Sequence, residues 1–132
     1  MAAGLTHFES PVAGSVVYET GTEGTQPSNA VIFIGGLGDG PHTVVFANKL
    51  GYRLADPELD YLHYALFQVR TRSAFSGYGY SSLANDVADI SALVKHLRRS
   101  RGMKKIVLLG HSTGSQVQPT PPRNPTQTGS YC

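Results

Sequence analysis

The stretch that most constrains the fold is Lys104-Lys105-Ile106-Val107-Leu108-Leu109-Gly110-His111-Ser112-Thr113-Gly114. The consecutive apolar residues Ile106 to Leu109 are what a parallel strand covered on both faces requires. A Gly-x-Ser-x-Gly turn follows at once. A serine at the tip of a tight strand-to-helix turn stands clear of the backbone, where a substrate can reach it. Gly110 and Gly114 flank it because a side chain at either place would strike the neighbouring strand or helix. The spacing therefore predicts a nucleophile elbow with Ser112 as the nucleophile. The N–H of Thr113 would point at the developing oxyanion.

An elbow of this kind ordinarily opens a long helix. Here Pro119, Pro121, Pro122 and Pro125 forbid one. From residue 117 to 132 the composition turns to Pro, Thr, Gln and Asn, as in a disordered tail. Residues 1–116 are expected to form a partial domain and 117–132 the tail. At 132 residues the chain is also short, since single-domain folds of this alternating type often run to about 200–250 residues.

Charged residues make up only 15% of the chain and the net charge is +2, too little to imply a nucleic-acid partner. Much of the basic excess sits in the run from Arg98 to Lys105. That run reads as a helix C-terminus lined with cations, with a phosphate-binding patch as the sharper alternative. Cys132 is the sole cysteine, so no intrachain disulfide forms. Residues 1–11 hold no Lys or Arg and no apolar run of signal-peptide length. No stretch approaches the ~20 apolar residues of a membrane span. A cytoplasmic protein is expected, without membrane contact, cofactor or metal.

Earlier in the chain, residues 5–8 and 14–18 read as two short strands of a hairpin-like start, joined through Pro11-Val12-Ala13. Residues 20–29 form a loop rich in Gly, Thr, Ser and Pro. Ala30 to Ile34 is a continuous, buried strand that runs into Gly35-Gly36-Leu37-Gly38-Asp39-Gly40-Pro41. A dinucleotide fingerprint fails there, because Pro41 occupies the third glycine position. The better reading is an oxyanion loop, with the Leu37 N–H as donor and Gly36 permitting the approach to the nucleophile. Residues 42–51 are a helix candidate, with Val45, Phe46 and Leu50 on one side and Gly51 at its end.

Residues 56–60 form a short turn or helix around Pro57, and residues 64–69 the next buried strand. Residues 70–80 read as a loop in which Phe75, Tyr78 and Tyr80 either line a pocket mouth or pack over the sheet edge. Residues 82–101 give the clearest helix. Leu83, Val87, Ile90, Val94 and Leu97 make one apolar stripe. Ser81 or Ser82 caps its start, Asp86 and Asp89 suit its N-terminal half, and Gly102 stops it. Its carboxylates are expected to be solvated. The alternation of strand and helix from Ala30 onward argues a mostly parallel sheet with crossover helices, an α/β fold.

Several segments together resemble one family: Phe33 to Gly40, Gln68-Val69-Arg70 with Ser76 to Gly79, Ser81 to Asp86, and Gly110-His111-Ser112-Thr113-Gly114-Ser115-Gln116. They are similar to a family of mainly fungal α/β-hydrolases, long catalogued only as a domain of unknown function. It includes esterases that open fusarinine-type siderophores inside the cell. The resemblance runs from around Leu5 to Gln116. It implies the N-terminal part of an α/β-hydrolase fold, a small-molecule ester as substrate, Ser112 as nucleophile, and the glycine loop with Thr113 as oxyanion donors. In the family the elbow continues into an acidic residue and a helix, whereas here Val117 begins something different.

In α/β-hydrolases the acid and then the histidine follow the serine in chain order. This chain has no His, Asp or Glu after Ser112. His111 is a poor substitute, since neighbours around an elbow point apart, and His7, His42, His63 and His96 read as surface or loop residues. The expectation is an esterase-like chain that is inactive by itself. One alternative is a non-catalytic fragment that pairs with a full-length relative through an exposed strand edge at residues 106–109; Pro119 and Pro122 add a PxxP spacing. Another is an enzyme that uses His42 as an unusual base.

Overall fold

The computed structural model describes residues 2–8, 16–76 and 82–117. Within them β1 (Ala2–His7), β2 (Val16–Gly21), β3 (Asn29–Ile34), β4 (Tyr64–Val69) and β5 (Lys105–Gly110) form one sheet. Their spatial order is β1-β2-β4-β3-β5. β2 pairs antiparallel with β1 and β4, while β4, β3 and β5 run parallel. α1 (Val45–Leu54) connects β3 to β4; α2 (Arg72–Ser76) and α3 (Leu83–Arg99) connect β4 to β5.

The two faces of the sheet are covered by different helices, and the period-two alternation of β3 and β4 decides which residue meets which. On one face Ile90, Leu93 and Leu97 of α3 pack with Ala30, Ile32 and Ile34 of β3 and Ala65, Phe67 and Val69 of β4. On the other, Ala47 of α1 packs with Phe33 and Leu66, joined by Leu50 and Leu54. Burying a large apolar side chain such as Phe67 or Ile32 contributes roughly 1.5–3 kcal/mol. Because β3 lies between β4 and β5 with its neighbours' connections on opposite faces, its C-terminal end is a topological switch point. In open α/β sheets that is where a ligand-binding crevice forms.

The expected strands at 30–34 and 64–69 and the helix at 82–101 are all present. Ser82 Oγ accepts the Asn85 N–H at 3.4 Å and caps α3. Gly102, at φ +65°, turns the chain out of it. The first hairpin also exists, with strands shifted to 2–7 and 16–21, so the loop begins after Gly21 and not at residue 20. The expected link through Pro11-Val12-Ala13 lies outside the described residues, as do Tyr78, Tyr80, the Phe75 side chain and residues 118–132.

Three expectations need correction. First, the helix expected at 42–51 is Val45–Leu54, and of the side expected to be apolar only Leu50 packs on the core. Val45 is 67% and Phe46 47% exposed, whereas Ala47 and Gly51 are buried. Small residues are required there because α1 lies close on the sheet: a Cβ on Gly51 would come 3.1 Å from Leu66 Cδ2 and 3.4 Å from Thr20 Cγ2. Second, Asp86 and Asp89 are buried rather than solvated. Asp86 Oδ1 accepts the Ser73 N–H at 3.0 Å, and Asp89 receives Arg72 at 2.6 and 3.1 Å. Third, residues 70–80 are not wholly loop, since α2 occupies Arg72–Ser76.

β5 carries the exposed edge expected at residues 106–109. Among the described residues it pairs with β3 alone, and Val107 is 47% exposed. The elbow leads into a 3₁₀ turn over Ser112–Gln116, in line with the prolines that forbid a long helix after it.

The basic run also does more than line a helix end. Arg101 reaches across to β2 and makes a two-pronged ion pair with Glu19, at 2.8 and 3.0 Å, while Thr6 Oγ1 donates to the same carboxylate at 2.8 Å. Burial by itself pushes the Glu19 carboxyl up. The Arg101 and Thr6 hydrogen bonds and the Arg101 charge outweigh that, so the carboxyl titrates below its ordinary value.

Candidate active site

The site is assembled where β3 and β5 end side by side. Ile34 is the register partner of Gly110, and the His111 N–H donates to the Ile34 carbonyl at 2.9 Å, carrying the pairing one residue past the strand. The chain then turns sharply. His111 is extended, at φ −119° and ψ 129°, and Ser112 is left-handed, at φ +56°. A serine in that region costs on the order of 1–3 kcal/mol and persists only where its surroundings dictate it.

The surroundings do dictate it. A Cβ on Gly110 would come 2.7 Å from Ser115 Cα, in the backbone of the turn that follows. A Cβ on Gly114 would overlap the carbonyl oxygens of Ile34 and Gly35. The two glycines thus let the 3₁₀ turn fold back against the ends of both strands, and Ser112 is left at the apex, exposed.

The glycine loop after β3 meets this apex. A Cβ on Gly36 would stand 3.0 Å from Ser112 Cβ and 3.4 Å from Ser112 Oγ. The loop keeps its shape by two hydrogen bonds. The Asp39 N–H donates to the Gly36 carbonyl at 3.1 Å, closing a four-residue turn, and the Gly36 N–H donates to Asp39 Oδ2 at 2.8 Å. Gly38, at φ +77°, supplies the positive φ that the third position of such a turn requires. Leu37 occupies the second position, 48% exposed. Among the described residues, no hydrogen bond uses the N–H of Leu37 or of Thr113.

Of the residues singled out in the sequence, Gly36 and Ser112 are therefore in contact. Leu37 and Thr113 each follow one of that pair in the chain. Two further groups join them. Asp39 Oδ2 lies 3.5 Å from His111 Nδ1, and the His111 ring meets Phe46 edge-on at 5.7 Å. Asp39 gave no motif signal beyond its place in the glycine loop; its role in the loop comes from the turn geometry.

His42 is elsewhere. Its ring packs edge-on against Tyr18 of β2 at 4.2 Å, its Nδ1 bonds Asn48 Oδ1 at 3.0 Å, and its N–H donates to the buried Gln68. β2 is three strand positions from β5, roughly 14 Å at normal strand spacing. Ser112 Oγ has no hydrogen-bond partner among the described residues, histidine included. No cluster of three or more His, Cys, Asp or Glu with metal-holding geometry occurs among them either. No helix among them is long and apolar enough to cross a membrane.

Comparison with known proteins agrees with this architecture. A family profile described as "Protein of unknown function (DUF1749)" matches residues 2–118. The chain is 32% identical over 109 residues to the fusarinine C esterase sidJ of Aspergillus fumigatus, covering 76% of this chain and 29% of that protein. It is 40% identical over 90 residues to a UPF0613 protein of Schizosaccharomyces pombe, covering 65% of this chain and 27% of that one. The chain thus spans well under a third of the length of these relatives. Among solved structures it superimposes on the siderophore hydrolase EstB from Aspergillus fumigatus with a TM-score of 0.72, at 29% identity, over 89% of this chain and 34% of that one. An α/β-hydrolase fold protein of unknown function gives 0.69 at 22% identity, over 89% and 37%. The fold is the α/β-hydrolase fold, of which this chain supplies a part.

Proposed function

The chain belongs to the DUF1749 family of proteins of unknown function, and from that premise we propose that it carries the nucleophile half of a serine ester hydrolase. The observation that supports this most is Ser112 itself, held at φ +56° between two glycines and against the Gly36 loop. Ser112 Oγ attacks the ester carbonyl carbon and gives its proton to a base. The carbonyl π electrons move to oxygen, and the N–H groups of Leu37 and Thr113 receive that oxyanion. Collapse expels the alcohol and leaves an acyl-enzyme, which water then cleaves. The route uses no metal or cofactor. The names of two relatives, a fusarinine C esterase and a siderophore hydrolase, support a small-molecule ester as the substrate class.

The 132 residues hold no His, Asp or Glu after Ser112, so acid and base are not at the positions the fold gives them. Losing the triad histidine in a serine hydrolase costs on the order of 10⁶ in turnover. The 132-residue chain by itself is accordingly proposed to be inactive, with aryl-ester hydrolysis no faster than that of Ser112→Ala. A graft tests the site directly. Residues 2–117 replace the matching stretch of the sidJ relative, and the chimera is assayed with an aryl ester. Hydrolysis that disappears in Ser112→Ala supports the proposal. A folded chimera whose hydrolysis ignores Ser112 contradicts it.

The half-exposed Val107, on a strand paired on one side among the described residues, favours a second reading. In it, β5 adds to the sheet of a longer relative. Co-elution of the chain with such a relative, abolished by Val107→Lys, supports it; independent elution removes it.

A further inference from the structure

We propose that Asp39 makes this site selective for esters that carry an ammonium group beside the scissile carbonyl; the inference rests on the reading of Ser112 as nucleophile. Asp39 Oδ2 accepts the Gly36 N–H at 2.8 Å. The place a Gly36 Cβ would take is 3.2 Å from that oxygen and 3.4 Å from Ser112 Oγ. A carboxylate oxygen is therefore fixed one small group away from the nucleophile, in the same four-residue turn as the proposed oxyanion donor Leu37.

That placement is electrostatically wrong for an ordinary ester. Attack by Ser112 builds negative charge on the carbonyl oxygen, and a carboxylate this near opposes it. A cation beside the carboxylate removes the conflict. Among the described residues, the ionisable group facing Asp39 is His111, whose Nδ1 is 3.5 Å away and whose side chain is 47% exposed. That separation exceeds a charge-assisted hydrogen bond. No Lys or Arg among the described residues forms an ion pair with Asp39. The cation is therefore supplied by the substrate. An ammonium on the atom next to the carbonyl carbon reaches Asp39 while the carbonyl faces Ser112. It neutralises the carboxylate and adds a charge that favours the oxyanion.

Binding of non-hydrolysable amides tests this without any turnover. Norleucine amide carries the ammonium, N-acetylnorleucine amide has lost it, and hexanamide never had it. Titrations of the whole chain are followed by amide NMR at Gly36, Asp39 and Ser112. Norleucine amide is expected to bind at least about tenfold more tightly than either neutral amide, a difference of about 1.4 kcal/mol. Asp39→Asn retains an acceptor for the Gly36 N–H, and in it the preference falls to within about twofold. Equal affinities in the unaltered chain, no binding of norleucine amide, or a preference that survives in Asp39→Asn would each overturn the proposal. Ser112→Ala is expected to keep the preference, so a failed nucleophile assignment is distinguishable from a failed Asp39 assignment.

Discussion

Gly36 packs directly on Ser112: a Cβ at Gly36 would stand 3.0 Å from Ser112 Cβ and 3.2 Å from Asp39 Oδ2. Two loops that are 76 positions apart in sequence thus share a surface at which no side chain fits. The elbow and the glycine loop are each strained or tightly folded alone, and each holds the other in place. This mutual support is what turns a sequence motif into a presented hydroxyl.

Gly36→Val is therefore expected to separate the two loops. A β-branched side chain cannot fit between Ser112 and Asp39, and the lost alignment reduces labelling of Ser112 by a fluorophosphonate with imidazole by at least tenfold. The fold itself survives, because Gly36 lies beyond the end of β3. Gly114→Ala is harsher. Its Cβ overlaps backbone carbonyls that cannot move without breaking the β3–β5 pairing, and about 3 kcal/mol of stability is lost. Thermal unfolding followed by circular dichroism, alongside a labelling assay, separates the two effects.

Ser112 bears its own signature. At φ +56° a glycine is relaxed and an alanine is not. Ser112→Gly is expected to be about 1 kcal/mol more stable than Ser112→Ala, raising the melting temperature by roughly 4 °C, while both abolish labelling. Equal melting temperatures would show that the elbow is not strained.

The Glu19–Arg101 pair sets an acid limit. The folded carboxyl titrates below its ordinary value of 4.5. A depressed carboxylate pKa stabilises the folded state fully above the unfolded value, and that stability is lost as pH falls through the folded value. Stability should therefore fall as pH drops below about 4.5, with a smaller fall in Glu19→Gln. Arg101→Met leaves a mostly buried carboxylate without its cation, at a cost of about 2–3 kcal/mol at neutral pH. Urea denaturation between pH 3 and 7 reads both effects.

Arg72 is expected to matter as much. It donates to Asp89 at 2.6 and 3.1 Å and to the Asn85 carbonyl at 3.0 Å, tying α2 to α3. Asp89 is only 7% exposed, so Arg72→Met removes two charge-assisted hydrogen bonds from a buried carboxylate and costs about 2 kcal/mol. The double variant with Asp89→Leu recovers much of that loss, measured by the same denaturation.

What could be read from the sequence was what local rules govern. Ile32 and Phe67 sit in continuous apolar runs, the stripe on α3 has one period, Ser82 is a capping residue in a capping position, and Gly110 and Gly114 flank a serine. What could not be read depends on distant partners. Asp86 and Asp89 look like solvated helix residues until Arg72 and Ser73 are brought to them. Glu19 and Arg101 are 82 residues apart, and neither announces the other. The face of α1 is only partly legible, because the residues nearest the sheet, Ala47 and Gly51, are small, and hydrophobicity singles out the exposed Val45 and Phe46 beside the packed Leu50. Asp39 lay in plain view in the glycine loop, but its relation to Ser112 required the loop's turn to be known.

The most direct measurement is peptide mapping by mass spectrometry after the chain is treated with an aryl fluorophosphonate, with imidazole supplied in solution as the missing base. The account predicts one adduct, on Ser112, that grows with imidazole concentration, is nearly absent without it, and vanishes in Ser112→Ala. Adducts scattered over the chain's other serines, or none on Ser112, would contradict the assignment of Ser112 as a nucleophile set among oxyanion donors.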